Sequence, residues 1–452
     1  MTSQRAATTA RSRFGLLFVL VVLLALVLRE QFVLFGMVDY PIRGDVREYF
    51  AYAWNLVNHG VFSHAAPQAA IPVPDAYRSP GYPWLLALSL AAFPQDLSTT
   101  SIGGWYPFAL QMQVLLGTAT VALVILLARV WLSASWALIA GLLLAIWPHH
   151  IAATGTLLSE VAFGFALTAA LYCFARAWTS DKLSWTMACG AAFGYAYLIN
   201  PLIALFPPLL ALVAWLQKRR TRAAWLLLVF MLPIALLAVR NARLAPLPDA
   251  PIGRGALNFV QGSWPNYHPA HARYYTGDPV AVAIMGEISR EAQLLVASPT
   301  DGLSEIRKRL AQDPAGYFVW YAWDKPRLLW DWNIRLGFGG FYFQEVKRSP
   351  LDRPPLAMFF AAMKAANPAL TLIMLITAIT LVGGGWKRID AMPATAVAAL
   401  ALYLTALHVI FQSEPRYANA YRGIEALVLA TAMAGVTRLL AARMRPTLHA
   451  RR

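Results

Sequence analysis

Long runs of apolar residues recur along most of the chain, and they constrain its fold more than any other feature. The first run extends from Phe14 to Leu28. Further runs lie at residues 107–128, 134–151, 158–178, 185–199, 202–216, 223–239, 367–386, 391–411 and 425–442. Most approach the ~20 residues that a helix needs to cross the hydrocarbon core of a bilayer. Because backbone polar groups in lipid must pair within their own segment, these runs predict about ten membrane-spanning helices.

Composition supports the same conclusion and excludes a soluble enzyme. Of the 452 residues, 59% are hydrophobic and only 13% are charged, whereas about a quarter of a soluble domain is charged. The net charge of +16 comes from basic residues at the termini and in loops, without the basic stripe and stacking aromatics of a nucleic-acid site. Cys173 and Cys189 both fall inside apolar runs, so we interpret them as small core residues.

The distribution of Lys and Arg predicts the orientation. Arg129, Lys182 and the basic cluster at residues 218–222 share one side if the short segment from Tyr82 to Phe93 does not cross the bilayer. Basic short loops face the cytoplasm. We therefore expect a multi-pass protein of the cytoplasmic (inner) membrane, with its large polar excursions on the periplasmic or extracellular side.

The chain divides into three parts on this basis. Residues 1–239 form an N-terminal transmembrane catalytic module whose first outer loop is 37–81, residues 240–366 form an outer loop and cap, and residues 367–452 form C-terminal transmembrane helices and a cytoplasmic tail. The cap is rich in Trp, Tyr and Phe, which indicates a folded segment.

Two stretches of the cap allow local predictions. Ser289–Arg309 has helical periodicity interrupted by Pro299, so we predict a mostly helical cap with a break there. The stretch from Gly253 to Gly262 is interpreted as turns.

The first outer loop carries a candidate catalytic acid. Asp45 begins the segment Asp45-Val46-Arg47-Glu48-Tyr49, and an amphipathic stretch continues to Gly60, which predicts an interfacial helix. Asp45 is explained either as a helix N-cap or as a general base for a hydroxyl acceptor held just outside the hydrocarbon.

The same loop ends with Tyr77-Arg78-Ser79-Pro80-Gly81-Tyr82-Pro83. One interpretation is an interfacial anchor in which Tyr82 sits in the aromatic belt and Arg78 extends its charged end to water. The other makes Arg78 a phosphate ligand, because a guanidinium presents a fixed fork of donors to phosphate oxygens.

Three further sets of polar residues lie near the outer boundary. Glu160 opens an apolar run, where an acid is either a solvated helix start or a functional group. His149 and His150 are neighbours whose side chains diverge by about 100° on a helix, which disfavours a metal site. Glu414-Pro415-Arg416-Tyr417 precedes the last run and is either a minor ion pair between Glu414 and Arg416 or a partner for a substrate phosphate.

Taken in order, these blocks resemble the membrane glycosyltransferases of the GT-C fold, specifically the protein mannosyltransferase and aminoarabinose-transferase-like group that uses polyprenyl-phosphate sugars. The resemblance also includes Asn200-Pro201 between two runs and Arg240-Asn241 before Gly255 and Gly262. It implies an all-α polytopic body of about 10–12 helices with interfacial helices in the first outer loop.

The resemblance also implies roles for individual residues. Asp45 matches the family's catalytic acid, and Arg78, together with Arg416, would bind the donor phosphate. The cavity and substrate residues would be Glu48, Tyr77, Tyr82, Glu160, Glu414 and Tyr417. Many relatives carry a second acid directly after the first, where this chain has Val46, so we assign no metal ligand and no certain cofactor and leave a divalent cation open.

The expected function is therefore an inverting glycosyltransferase. The implied partners are a polyprenyl-phosphate-linked sugar such as an undecaprenyl-phosphate donor, a glycan, lipid or protein acceptor, and membrane lipids, with no nucleic acid. A polytopic transporter or flippase for a lipid-linked substrate is the alternative, and it predicts internal repeats and broken helices at mid-membrane. The sequence contains no evident internal repeat.

Overall fold

The computed structural model describes residues 2–93, 103–180, 182–244, 253–385 and 388–444. Within these ranges the chain forms an α-helical membrane body and a helical cap built from the described part of residues 240–366. The helices of the body and first loop are α1 (Thr2–Phe35), α2 (Asp45–His59), α3 (Gly81–Ala92), α4 (Trp105–Ala128), α5 (Ala134–Ala145), α6 (Pro148–Ala152), α7 (Glu160–Thr179), α8 (Leu183–Ile199), α9 (Phe206–Leu216) and α10 (Arg220–Asn241).

The cap and the C-terminal part continue the helical architecture. Cap helices are α11 (Arg254–Gly262), α12 (Tyr267–Tyr274), α13 (Pro279–Ala297), α14 (Pro299–Leu310), α15 (Pro314–Val319) and α16 (Lys325–Leu329), with a π-helical segment at Trp320–Asp324. The chain then returns through α17 (Leu356–Gly385), α18 (Met392–Ile410), a 3-10 segment at Pro415–Tyr421 and α19 (Arg422–Met444).

Seven helical segments in the described ranges are long and apolar enough to cross a membrane. They lie in α1, α4, α7, α10, α17, α18 and the segment from Pro415 to Ala442. The pair α5 and α6 passes the same test together but bends by 57°, which gives up to eight spans. The prediction of an all-α polytopic body is confirmed. The described ranges contain fewer full-length spans than the ten apolar runs, because α8 and α9 are apolar but shorter.

The short segment near Tyr82 forms a helix of 12 residues, α3. At about 1.5 Å per residue it extends roughly 18 Å, which is less than the ~30 Å hydrocarbon core. A helix of this length agrees with the expectation that it does not cross the bilayer.

Arg29 stabilises the break between α5 and α6. Its guanidinium is fully buried and donates to the carbonyl oxygens of Leu144 and Ala145, each at 3.4 Å, and to that of Ala25 at 2.8 Å. The last carbonyls of a helix have no partner within that helix. Arg29 therefore satisfies the exposed end of α5 where the chain turns into α6.

The cap has its own small core and two attachments to the body. Its helices pack around buried side chains that include Val260, Tyr267, Ile288, Ala292 and Ile306. Strand β1 (Met37–Val38), directly after α1, pairs antiparallel with β2 (Val346–Lys347) near the end of the cap. The backbone of Gly262 lies directly against that of Phe411, so close that a Cβ atom at this position would stand 2.4 Å from the Phe411 carbonyl.

Two local predictions for the cap have opposite outcomes. The break at Pro299 is confirmed, because α13 ends at Ala297 and Pro299 begins α14. The interpretation of Gly253–Gly262 as turns is wrong, because Arg254–Gly262 is α11. Leu257 and Val260 of this helix pack into the cap core, and this burial outweighs the low helix propensity of its glycines.

Candidate active site

Asp45 is the first residue of α2, and its carboxylate is held by two arginines. Nη2 of Arg78 donates to Oδ1 at 2.7 Å, and Nη2 of Arg416 donates to Oδ2 at 3.0 Å. The N-cap position is taken by Gly44, and no side chain makes a capping hydrogen bond at this helix start. The explanation of Asp45 as an N-cap is therefore wrong, and its carboxylate is directed to other elements.

Arg78 is buried rather than extended to water. Its side chain is 4% exposed, its Nε donates to Oε2 of Glu48 at 2.5 Å, and its guanidinium carbon lies 4.8 Å from the centre of the Tyr49 ring. The interpretation of Arg78 as an interfacial, water-facing side chain is wrong. Arg78 instead joins the end of the first outer loop to the beginning of α2.

Asp75 and Arg240 shape the loop that presents Arg78. The Asp75 carboxylate accepts hydrogen bonds from the Tyr52 hydroxyl and from the backbone N–H groups of His64 and Tyr77. Burial raises the pKa of Asp75, but these hydrogen bonds outweigh it and the net effect lowers the pKa. From α10, Nη1 of Arg240 donates to the Asp75 carbonyl oxygen at 2.5 Å. The Arg240-Asn241 block thus contributes to positioning this loop.

Arg416 connects the C-terminal part of the chain to the same site. It lies in the 3-10 segment before α19, and its Nε is 3.2 Å from Oε1 of Glu160, the first residue of α7. Arg416 therefore faces Asp45 and Glu160. The second oxygen of Glu160, Oε2, is buried without a hydrogen-bond partner among the described residues.

Glu414 points away from this cluster. Its Oε1 accepts hydrogen bonds from the backbone N–H groups of Arg335 and Leu336, at 2.8 and 3.2 Å, and its Oε2 is 2.9 Å from Nε2 of His268. The prediction that Glu414 is a cavity residue, and the alternative of a simple pair with Arg416, are both wrong. Glu414 instead fixes the cap to the segment that carries Arg416.

The charge balance around Asp45 determines its protonation. Burial raises the pKa of the Asp45 carboxyl, but Arg416 and then Arg78 lower it by more, and Arg254 adds to their effect. The pKa of Asp45 is held well below its usual range, so the carboxylate is ionised at neutral pH.

A cavity of about 600 Å³ adjoins this cluster. Its charged part is lined by Asp45, Tyr77, Arg78, Glu160, Arg416 and Tyr417, among the predicted site residues. Its apolar part is lined by residues from the ends of α8, α10 and α18 and from the segment leading into α9: Ile199, Leu202, Leu205, Leu237 and Leu407. One chamber thus joins a charged end to an apolar end.

Two predicted residues lie close to the cavity without lining it. Glu48 is held behind Arg78 by the contact with Nε. Tyr82 is 2% exposed, and its hydroxyl donates to Oε1 of Gln113 at 3.2 Å, so its prediction as a cavity residue is wrong. Tyr82 packs beneath the site, edge-on to Tyr49.

Several lining residues are absent from the sequence predictions. Arg254 and Asn258 of α11 line the cavity, as do Gln412 and Tyr403. Gln412 accepts a hydrogen bond from the Tyr417 hydroxyl at 3.1 Å. The signal for Arg254 and Asn258 was their spacing of one helical turn, which is informative only once the stretch is known to be a helix.

These side chains do not fit a divalent-cation site. Within the described ranges no group of three or more His, Cys, Asp or Glu side chains converges. Asp45 and Glu160 both face the Arg416 guanidinium. His149 and His150 are hydrogen-bonded to other groups. His149 contacts the Trp332 carbonyl oxygen, and His150 contacts the Arg29 guanidinium.

Comparison with known proteins identifies the architecture. Residues 77–239 match the family model of the dolichyl-phosphate-mannose-protein mannosyltransferases. The oligosaccharyltransferase AglB from Archaeoglobus fulgidus, solved with an inhibitory peptide and a dolichol-phosphate, superposes with a TM-score of 0.52 at 16% identity, over 96% of this chain and 51% of the archaeal one. The chain has the GT-C fold.

The GT-C chain spans about half the length of the archaeal protein. ArnT from Cupriavidus metallidurans, solved with undecaprenyl phosphate, is also similar, with a TM-score of 0.39 at 16% identity over 94% of this chain and 78% of that one; the fold assignment does not depend on it. The sequence matches no curated protein. The comparisons confirm the resemblance to GT-C membrane glycosyltransferases that the sequence blocks indicated.

Proposed function

We propose that this protein is an inverting glycosyltransferase that moves a sugar from a polyprenyl-phosphate donor to a hydroxyl acceptor on the outer face of the cytoplasmic membrane. The observation that carries the proposal is the position of Asp45. Its carboxylate lies between two guanidinium groups at the charged end of a chamber whose other end is apolar. A lipid-linked phosphate ester has the same two parts, a charged phosphate and an apolar chain.

The apolar end supports a lipid donor. Leu205 lines the chamber and is 62% exposed, so the apolar end of the chamber is open at this side chain. A polyprenyl chain entering between helices near Leu205 would place its phosphate toward the arginines. The similarity to AglB, which was solved with a dolichol-phosphate, and to the dolichyl-phosphate-mannose family model over residues 77–239 agrees with this class of donor.

The charged end supports sugar transfer with inversion. Asp45 accepts the proton of the acceptor hydroxyl while the hydroxyl oxygen forms a bond to the anomeric carbon. The bond from that carbon to the phosphate oxygen breaks, and its electron pair leaves on the phosphate. Arg78 and Arg416 stabilise the charge that develops there. A positioned general base contributes about 100- to 10,000-fold.

Donor binding also tunes the base. In the structure Arg78 and Arg416 depress the pKa of Asp45, and a carboxylate with a low pKa is a weak proton acceptor. A bound phosphate shares these two guanidinium groups, which raises the pKa of Asp45 toward the range of an effective base. Proton transfer is therefore favoured when the donor is present.

Membranes from a strain that lacks the gene provide the test. We expect them to accumulate a sugar-loaded polyprenyl phosphate, and purified protein added to them should convert it to polyprenyl phosphate and a glycosylated product, both measured by mass spectrometry. A flippase would change the sidedness of the loaded lipid without changing its amount. Failure of the wild-type protein to consume any sugar-loaded lipid would contradict the proposal.

A further inference from the structure

Two of the three arginines that line the cavity are already committed to carboxylates. Arg78 donates to Asp45 and Glu48, and its Nη1 is 3.5 Å from the Tyr49 hydroxyl. Arg416 faces Asp45 and Glu160 and is 9% exposed. Both guanidinium groups are therefore already paired with carboxylates before any substrate binds.

Arg254 is different. Its side chain is 33% exposed, and its ion-pair partner, Oε2 of Glu48, is 3.9 Å from Nη1, beyond hydrogen-bond distance. Its guanidinium carbon is 5.8 Å from the centre of the Tyr77 ring. Within the described part of the chain Arg254 donates no hydrogen bond. Its fork of donors faces a chamber that it shares with Asp45.

The place of Arg254 in its helix also favours an anionic ligand. Arg254 is the first residue of α11, where the helix dipole opposes a positive charge. Asn258, one turn later, lines the same cavity, while Phe259 packs against Phe411 and Val260 enters the cap core. The helix thus has a buried face that fixes it to the body and a polar face that presents an arginine and an amide to the chamber.

We propose that Arg254, with Asn258 beside it, binds a substrate phosphate group directly on the exposed side of the cavity. Arg78 and Arg416 then act mainly on Asp45 and on the charge that develops during transfer. The inference rests on the proposed function, and it adds a binding residue to it. Guanidinium forks match phosphate oxygens in geometry and charge. The phosphate belongs either to the lipid donor or to a phosphate-bearing acceptor.

Binding measurements on the full-length protein in detergent test this assignment. The variant is Arg254→Gln, and the matched control is Arg290→Gln, an exposed arginine of α13 that pairs with Glu287. The probes are undecaprenyl phosphate, undecaprenol, and glycerol 3-phosphate as a soluble monoester. Because a guanidinium forms charge-assisted hydrogen bonds with phosphate oxygens that an amide cannot replace, we expect Arg254→Gln to weaken undecaprenyl phosphate binding at least about tenfold. Binding of undecaprenol should not change.

The outcomes distinguish a donor phosphate from an acceptor phosphate. They also separate the proposal of a lipid donor from the proposal that Arg254 binds phosphate. Weaker binding of undecaprenyl phosphate assigns Arg254 to the donor, and weaker binding of glycerol 3-phosphate alone assigns it to an acceptor phosphate. Unchanged binding of both phosphates would overturn the assignment. If the wild-type protein binds undecaprenyl phosphate no better than undecaprenol, the donor proposal fails, and the glycerol 3-phosphate arm still decides the role of Arg254.

A merely structural role for Arg254 predicts a different pattern. Loss of packing against Tyr77 would lower the unfolding temperature of the ligand-free variant and weaken all probes alike. We expect the ligand-free unfolding temperature of Arg254→Gln to equal that of the wild-type protein. Arg254→Lys, which keeps the charge, should recover part of the phosphate affinity.

Discussion

Asp45 receives its two hydrogen bonds from arginines that are far apart in sequence, Arg78 in the first outer loop and Arg416 near the C-terminus. Burial alone would raise the pKa of this carboxyl, and the two positive charges reverse that effect. The ionised form is therefore present at neutral pH and is lost only when the pH falls through the lowered pKa.

Removing one of these charges should change the pH dependence of transfer. In Arg416→Gln one positive charge fewer opposes the effect of burial, which raises the pKa of Asp45. We therefore expect the acid limb of the pH profile of kcat/KM, which reports the enzyme without bound donor, to move upward by about 1–3 pH units from its position below the usual aspartate range. Arg416→Lys keeps the positive charge and should leave the limb near that of the wild-type protein. An acid limb in Arg416→Gln identical to the wild-type one would contradict the electrostatic account of Asp45.

Lys325 gives an independent prediction about stability. This cap residue is fully buried, its Nζ donates to the Gly262 carbonyl oxygen at 2.8 Å, and burial lowers the pKa of its ammonium group to about 7. Between that value and the usual lysine pKa, the unfolded chain binds more protons than the folded chain. The free energy of unfolding therefore increases as the pH rises through this interval.

The measurement is thermal unfolding at a series of pH values from about 7, the lowered pKa of Lys325, to about 10, just below the ordinary lysine pKa. Relative to Lys325→Met, which has no titrating group, the unfolding temperature of the wild-type protein should rise by several degrees across this interval. Parallel curves for the two proteins would show that Lys325 is not buried as described.

The sequence predicted the residues of the charged cluster better than their contacts. Asp45, Arg78, Glu160 and Arg416 lie in or beside the predicted outer segments and in the blocks that resemble the glycosyltransferases, and the structure brings all four together. The contact of Glu414 with the cap could not be predicted, because the groups that donate to its carboxylate are backbone N–H groups of residues 335 and 336. Such contacts depend on tertiary geometry and leave no local pattern.

At the level of elements, α11 links the cap to the membrane body. Its last residue, Gly262, lies against the backbone of Phe411 and Gln412, and its carbonyl oxygen accepts hydrogen bonds from Trp320 and Lys325. Only a residue without a Cβ atom allows this approach. The position of Arg254 and Asn258 over the cavity therefore depends on a glycine at the other end of the same helix.

Gly262→Ala tests this dependence. The added Cβ would stand 2.4 Å from the Phe411 carbonyl and 2.7 Å from the Gln412 nitrogen, both backbone atoms that cannot turn aside. We expect overpacking to destabilise the protein by about 1–3 kcal/mol. The control is Gly286→Ala in the interior of α13, where a Cβ meets nothing within 4 Å and should stabilise by up to about 1 kcal/mol. Equal unfolding temperatures for the two variants would contradict this account.

The same helix shows why some elements could not be predicted from the sequence. Glycines at 253, 255 and 262 gave the stretch the composition of turns, and its nine residues are too few for apolar periodicity to outweigh that signal. The break between α5 and α6 could not be predicted from the sequence for a different reason. The apolar run continues through it, and the bend is stabilised by Arg29, which lies more than a hundred residues earlier.

At the level of the whole molecule, the proposed sugar transfer requires the first outer loop and the cap to face the same compartment. The pairing of β1 in that loop with β2 in the cap, and the 3.9 Å distance between Arg254 of the cap and Glu48 of the loop, satisfy this requirement within the chain. The basic short loops predict that this compartment is outside the cytoplasm. Transfer on the outer face therefore depends on the orientation of the body in the membrane.

Cysteine labelling tests the orientation. In a background with Cys173 and Cys189 replaced by Ala, Ser304→Cys on the exposed side of α14 should react with a membrane-impermeant maleimide on intact spheroplasts. Ser133→Cys, exposed between α4 and α5, should react only after permeabilisation. The opposite pattern would place the cavity on the cytoplasmic side.

The most direct test of the central claim is the rate at which Asp45→Asn transfers the sugar. The matched control is Asp39→Asn, an acid of the same loop that pairs with Lys347 at the surface and does not line the cavity. We predict that Asp45→Asn loses at least about 100-fold in turnover of the sugar-loaded lipid while it still binds undecaprenyl phosphate, and that Asp39→Asn retains wild-type turnover. Near-normal turnover by Asp45→Asn would contradict the assignment of this carboxylate as the base.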